Sequence, residues 1–230
     1  MSDLTALKSI ETAMTNTRLN LEYQKQTVAD LAKDPSASKG SSAIVIAAGP
    51  SLHRQDPVSK ILNSGYNGDV ICADGALPYC LRNGLVPDYV VTLDPHKKRI
   101  VRWFGDPELE QADLDDDDYF TRQDLDPRLG EDELARNREM LHLVNTLGPK
   151  MKLIIASCIA VEVTTRCIDA GMPLYWWNPL YDDPSNPQSI TRQAYNINKA
   201  PCIATGGNCG ATSWAFASTI LGKKDVALVG

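Results

Sequence analysis

Ile44-Val-Ile-Ala-Ala-Gly-Pro-Ser-Leu52 is an apolar, β-branched run that stops at a glycine and gives way to polar residues. The same grammar returns at Ile71-Cys-Ala-Asp-Gly-Ala76 and at Tyr89-Val-Val-Thr-Leu-Asp-Pro-His96. Short runs that are almost continuously hydrophobic, rather than alternating, are how strands buried on both faces of a parallel sheet look. Helical stretches fit between them, around 57–63 and 78–83. Downstream the alternation resumes with a helix over 132–147, a strand at 152–156, a helix over 161–170 and a strand at 174–177. A polar connection, 178–199, leads to a helix over 208–221 and a last strand at 225–229. The pattern predicts an α/β fold: a Rossmann-like three-layer domain over 43–230, with a mostly parallel sheet and helices on both faces.

Outside this region the chain changes character. Residues 1–33 read as one long helix, because Leu7, Met14, Leu21 and Val28 recur every seven residues with Ile10 and Leu31 beside them, although Thr17 and Gln24 interrupt the seam. Such a helix either forms a homo-oligomer or packs on its own domain. Asp34–Ser42 is a linker by composition, so the expected division is a helical arm and linker over 1–42 and an α/β domain over 43–230. An acidic insertion is expected at about 105–130. Between Asp106 and Glu133 thirteen acids face two bases, a local charge of −11 within a chain whose net charge is −6, which leaves the body at +5. A run of like charge with few large apolar residues reads as a solvated loop, exposed over 110–126. The chain stops at Gly230 directly after an apolar strand, where an α/β sheet places useful loops, so the pattern predicts a longer natural chain.

Composition narrows the function. The chain has 230 residues, 43% of them hydrophobic, which is enough for a sizeable core and excludes a disordered chain. No apolar run is long enough to span a membrane, and the N-terminus has no secretory signal, so a soluble cytoplasmic protein is expected. A mildly basic body suits a small anionic ligand but is far from the basic stripe of a nucleic-acid binder. The six cysteines stand seven or more residues apart, with no C-x-x-C pair, and read as structural thiols rather than zinc ligands.

Three constellations carry chemistry. In the first, Gly49, Pro50 and Ser51 follow a strand, where a tight turn can present N–H groups and a hydroxyl to a phosphate; an ordinary strand exit would need the same residues. In the second, two strands end in Asp74 and Asp94, whose carboxylates can hold a ribose hydroxyl or Mg²⁺, or simply cap helices. His96 follows as a candidate base or a solvated loop residue. In the third, Thr205, Gly206, Gly207 and Asn208 open a helix, and a glycine-rich helix N-terminus is suited to an anion, although Asn208 can equally serve as a plain N-cap. His53 and His142 have weaker standing.

AAGPSL at 47–52, ADGAL with GLVPDYVVTLDP over 73–95, and ATGGNCGATSWAFASTILGKKDVALVG over 204–230 resemble the 6-hydroxymethylpterin diphosphokinase MptE-like family, and within it the bacterial branch related to motility-associated-factor glycosyltransferases. The likeness covers roughly 43–104 and 150–230. The first and third motifs are also similar to bacterial sialyltransferases, whose G-N-G-P-S-L loop and T-S-G helix start contact a CMP donor. That similarity implies such roles for Gly49, Pro50, Ser51, Leu52, Thr205 and Gly207. Here Ala48 replaces the Asn, and no His precedes Thr205. The second motif is similar to thiamine pyrophosphokinases, which place paired acids on Mg²⁺ and ATP; this chain has the single Asp94 in that strand end.

The resemblance implies a nucleotide-dependent transferase, foremost a glycosyltransferase using a CMP-type nucleotide-sugar donor and an unknown acceptor, with no tightly bound cofactor. In that reading Asp94 and His96 are catalytic, while Gly49, Pro50, Ser51, Asp74, Thr205, Gly206, Gly207 and Asn208 bind the nucleotide. Two alternatives stand beside it. One is an Mg-ATP-dependent pyrophosphokinase acting on a pterin-like alcohol, with Asp74 and Asp94 as metal ligands. The other is a non-catalytic nucleotide-binding or assembly protein.

Overall fold

The structure is a computed structural model that describes residues 2–115 and 133–230. Its described residues form a seven-stranded sheet: β1 (Ser42–Ile46), β2 (Asp69–Ala73), β3 (Tyr89–Thr92), β4 (Lys152–Ala156), β5 (Leu174–Pro179), β6 (Cys202–Ile203) and β7 (Asp225–Val229). The order is β6-β5-β4-β3-β2-β1-β7, and every pairing is parallel. The α/β expectation holds, and all residues of β2 and β3 are buried, which is why their sequences show no alternation.

Strand order then dictates the layers. Each step from β1 to β6 moves in one direction, so right-handed crossovers place the intervening helices on one face. These are α3 (Ser51–Gln55), α4 (Pro57–Ser64), α5 (Leu77–Arg82), α6 (Lys97–Trp103), α7 (Gln111–Asp115), α8 (Glu133–Leu147), α9 (Val161–Asp169) and α10 (Ile190–Asn198). The step from β6 to β7 reverses the direction. It carries α11 (Cys209–Thr219) back over the opposite face, against β3, β2, β1 and β7.

That second face is completed by the N-terminal segment. The single long helix expected over 1–33 is instead α1 (Ser2–Leu19), a 3₁₀ turn at Asn20–Tyr23, and the short α2 (Val28–Ala32), because Gln24–Thr27 is extended and joins the sheet. The Trp176 N–H donates to the Gln26 carbonyl at 3.0 Å, and Thr27 bridges to Trp176, so this stretch occupies the part of the β5 edge that the two-residue β6 leaves open. Val28, Leu31 and Ala37 are buried in the same core as the strands. One side chain marks the shared face: the Tyr89 hydroxyl donates to the Ala37 carbonyl, while its ring meets Phe216 of α11 edge-on at 5.4 Å.

The polar connection over 178–199 contains α10, whose Ser189 N-cap hydroxyl accepts the Arg192 N–H at 3.1 Å. A helix that the sequence pattern does not announce, α6, follows directly after Asp94-Pro-His96. Of the acidic insertion, 116–132 lies outside the described residues; its described start carries α7, with 110–113 exposed. Among the described residues no helix is long and apolar enough to cross a membrane.

Candidate functional site

The carboxyl ends of the strands surround a cavity of about 720 Å³, a size suited to a small-molecule ligand. Asp74 enters it from the end of β2, Leu93 to His96 from β3, Cys158 from β4, Pro179 to Tyr181 from β5, and Thr205, Gly207, Asn208 and Cys209 from the crossing between β6 and α11. Trp103 of α6 and Ser9, Ile10 and Ala13 of α1 close the remaining sides. The second and third constellations therefore converge, as parallel strands with a common carboxyl edge require.

Asp74 is the most perturbed acid of the site. Only 3% of it is exposed, and burial pushes its carboxyl up to about 6. The Thr92 hydroxyl at 2.6 Å and the Gly75 N–H at 2.8 Å donate to its two oxygens and oppose that rise. Asp94 is exposed and accepts the His96 N–H at 2.9 Å, closing the turn that enters α6. Capping of the following backbone thus accounts for one Asp94 oxygen, and His96 stands exposed at the helix entrance.

At the third constellation Asn208 is the N-cap of α11, accepting the Ala211 N–H at 2.9 Å. Gly206 and Gly207 take φ of +57° and +83°, left-handed values that favour glycine. They differ in surroundings: a Cβ on Gly206 would lie 2.7 Å from the Ala211 Cβ, whereas one on Gly207 would enter open space. Gly206 is therefore a packing glycine, and Gly207 is the one that faces the cavity. Thr205 is fixed by its carbonyl, which accepts the Thr212 hydroxyl at 3.0 Å.

Gly49, Pro50 and Ser51 lie at the same sheet edge but do not line the cavity. A Cβ on Gly49 would sit 2.8 Å from the Gly230 carbonyl oxygen, so this glycine serves close backbone packing against the end of β7. The first and third motifs nevertheless touch, because a Cβ on Gly210 would be 3.0 Å from the Ala47 Cβ. His53 packs edge-on against Tyr79 at 5.0 Å, and His142 is exposed on α8; neither lines the cavity.

Sequence reasoning passed over Trp103, Tyr181, Cys158 and the three α1 residues. The thiols among the lining are capped: Cys158 donates to the Leu93 carbonyl at 3.1 Å and burial pushes it up to about 12, while Cys209 donates to the Val91 carbonyl at 3.0 Å. Such thiols are structural rather than nucleophilic. Cys72, Cys80 and Cys167 are likewise buried, whereas Cys202 is exposed.

Asp74, Asp94 and the α11 start thus share one cavity. Residues 12–106 match the family described as 6-hydroxymethylpterin diphosphokinase MptE-like. The matched segment holds β1, β2, β3, Asp74, Asp94 and His96, and it includes the part of α1 that carries Ala13 and Asn16. The start of α11 lies beyond it. An uncharacterized protein of Treponema pallidum (strain Nichols) is 33% identical over 82 residues, which are 36% of this chain and 37% of that protein. The structure of the MAf glycosyltransferase from Magnetospirillum magneticum AMB-1 superposes with a TM-score of 0.54 at 14% identity, over 96% of this chain and 27% of that one. At that identity the likeness is one of fold, and the chain spans little more than a third and a quarter of these two relatives.

Proposed function

We propose that the chain is the nucleotide-binding module of a transferase, and that the cavity takes a nucleotide-activated sugar, foremost of the CMP type. The observation that carries this reading is the meeting of the α11 N-terminus (Thr205, Gly207, Asn208) with Asp74, Asp94 and His96 in one cavity. The helix start offers N–H groups and a partial positive charge to a phosphate, and the glycine at 207 leaves room for close approach. Departure of a nucleotide from a sugar builds negative charge on the phosphate and cationic character on the sugar, and N–H donors and carboxylates within one cavity match that demand. In this reading His96 takes the acceptor's proton and Asp94 orients ribose or acceptor; both are exposed and line the cavity. The description of the MptE-like family and the fold shared with the MAf glycosyltransferase support transfer chemistry.

The pyrophosphokinase alternative takes Asp74 and Asp94 as Mg²⁺ ligands, and what weighs against it is that both carboxylates are already engaged within the protein. Both Asp74 oxygens accept donors in a nearly sealed position, and one Asp94 oxygen closes its own turn. Calorimetry with CMP, CDP, Mg-ATP and a pterin separates the readings. CMP binding without metal supports the glycosyltransferase, Mg-dependent ATP binding replaces it with the kinase, and binding of none of the four removes both.

A further inference from the structure

The N-terminal helix is built into the site rather than appended to it. At the carboxyl end of β4 the Asn16 amide donates to the Pro95 and Cys158 carbonyls at 3.1 and 2.8 Å, and the Asn20 amide donates to the Ser157 and Ile159 carbonyls at 3.0 and 2.6 Å. The Thr17 and Ser157 hydroxyls meet at 3.2 Å, and Thr164 donates to Asn20 at 2.8 Å. Asn16, Thr17 and Asn20 are all at least nine-tenths buried. This clamp fixes the C-terminal half of α1, and one to two turns back the same helix places Ser9, Ile10 and Ala13 on the cavity.

The cavity is thereby given two unlike ends. The α11 start touches β1 and β3, through Gly210 beside Ala47 and Cys209 on Val91, and it brings the phosphate-type donors there. The clamp places α1 over the loops after β3 and β4, so that the apolar Ile10 and Ala13 bound the cavity beside Pro95 and Cys158. A ligand that spans the cavity presents an anionic group to the α11 start and an apolar face to α1.

We propose that α1 is the specificity wall of the site, with Ile10, flanked by Ser9 and Ala13, bounding the nucleobase and setting the size of base admitted. This rests on reading the cavity as a nucleotide site. Ile10 is half-buried, so its replacement leaves the core intact. A wall residue changes the ratio between ligands, whereas a residue that only supports the fold changes all affinities together.

The test is calorimetry with CMP and AMP on the unaltered chain, Ile10→Ala and Ile10→Trp, each confirmed folded by circular dichroism. Removing bulk is expected to raise the AMP-to-CMP affinity ratio at least fivefold, and Ile10→Trp to weaken CMP binding at least tenfold. A ratio unchanged within twofold in Ile10→Ala, with CMP bound by the unaltered chain, overturns the wall and leaves the nucleotide reading standing. If the unaltered chain binds neither nucleotide, the nucleotide reading falls and the wall falls with it. If Ile10→Trp does not fold, the ratio measured in Ile10→Ala decides.

Discussion

Two glycines read alike in the sequence do different work. Gly207 faces open space, so Gly207→Ala sends its methyl group into the cavity at a backbone cost of about 1–2 kcal/mol for the left-handed conformation. CMP affinity should drop in a protein that still melts cooperatively. Gly49→Ala, by contrast, pushes a methyl group against the Gly230 carbonyl and should lower the melting temperature by an amount equivalent to about 1–3 kcal/mol. Equal behaviour of the two variants in both measurements would remove the distinction. Asp74 supplies a second residue-scale expectation. Its pKa rises on folding from an ordinary 3.8 to about 6, so the folded state holds this proton more tightly than the unfolded chain does. The resulting stabilisation is complete below pH 4 and is lost as pH rises through 6, roughly 3 kcal/mol for a shift of about two units. Asp74→Asn abolishes that loss, and the variant should therefore gain stability relative to the parent between pH 4 and 7 in parallel denaturation series. A flat difference would show that the carboxyl is not held as described.

Elements are joined at the opposite edge of the sheet by a buried ion pair. Lys223, in the turn before β7, meets Asp69 at the start of β2, and both side chains are sealed from solvent. The ammonium also donates to the Lys39 and Gly40 carbonyls at 3.0 and 2.8 Å, and Asp69 accepts the Lys39 N–H at 3.0 Å. β2, β7 and the linker thus close on one charge cluster. Lys223→Met leaves a carboxylate buried without its cation and should cost about 3–5 kcal/mol in urea denaturation, with a partial return in Lys223→Met/Asp69→Asn. A loss below about 1 kcal/mol in the single variant would mean that the pair is not held closed.

For the whole molecule, the described N-terminal residues are the missing part of a layer. Val28, Leu31 and Ala37 are 0%, 1% and 5% exposed, and they cover the β5 side of the face that α11 crosses. A chain beginning at Ser38 loses this cover over Tyr89 and Trp176, an area whose burial is comparable with the about 5–15 kcal/mol that holds a domain folded. It should show no cooperative melt and no near-ultraviolet dichroism. An independent arm would instead leave 43–230 melting as before.

The strands, their parallel arrangement and the clustering of Asp74, Asp94 and the 204–208 turn at one edge were legible in the sequence. Buried parallel strands need continuous apolar runs, and a shared carboxyl edge follows from strand direction alone. The strand runs at 69–73, 152–156 and 225–229 agree with the structure to the residue. The course of the N-terminus was decided by tertiary structure. Its heptad of Leu7, Met14, Leu21 and Val28 suggested an apolar seam, yet Leu21 is half exposed, while Asn16, Thr17 and Asn20 are buried because carbonyls after β4 need donors there. Nor could spacing show that Gly49 answers to Gly230, 181 positions later, while Gly207 answers to open space. Periodicity records which face of an element is buried. The partner it is buried against, and so whether a polar residue is a flaw or a clamp, exists only once distant segments have met.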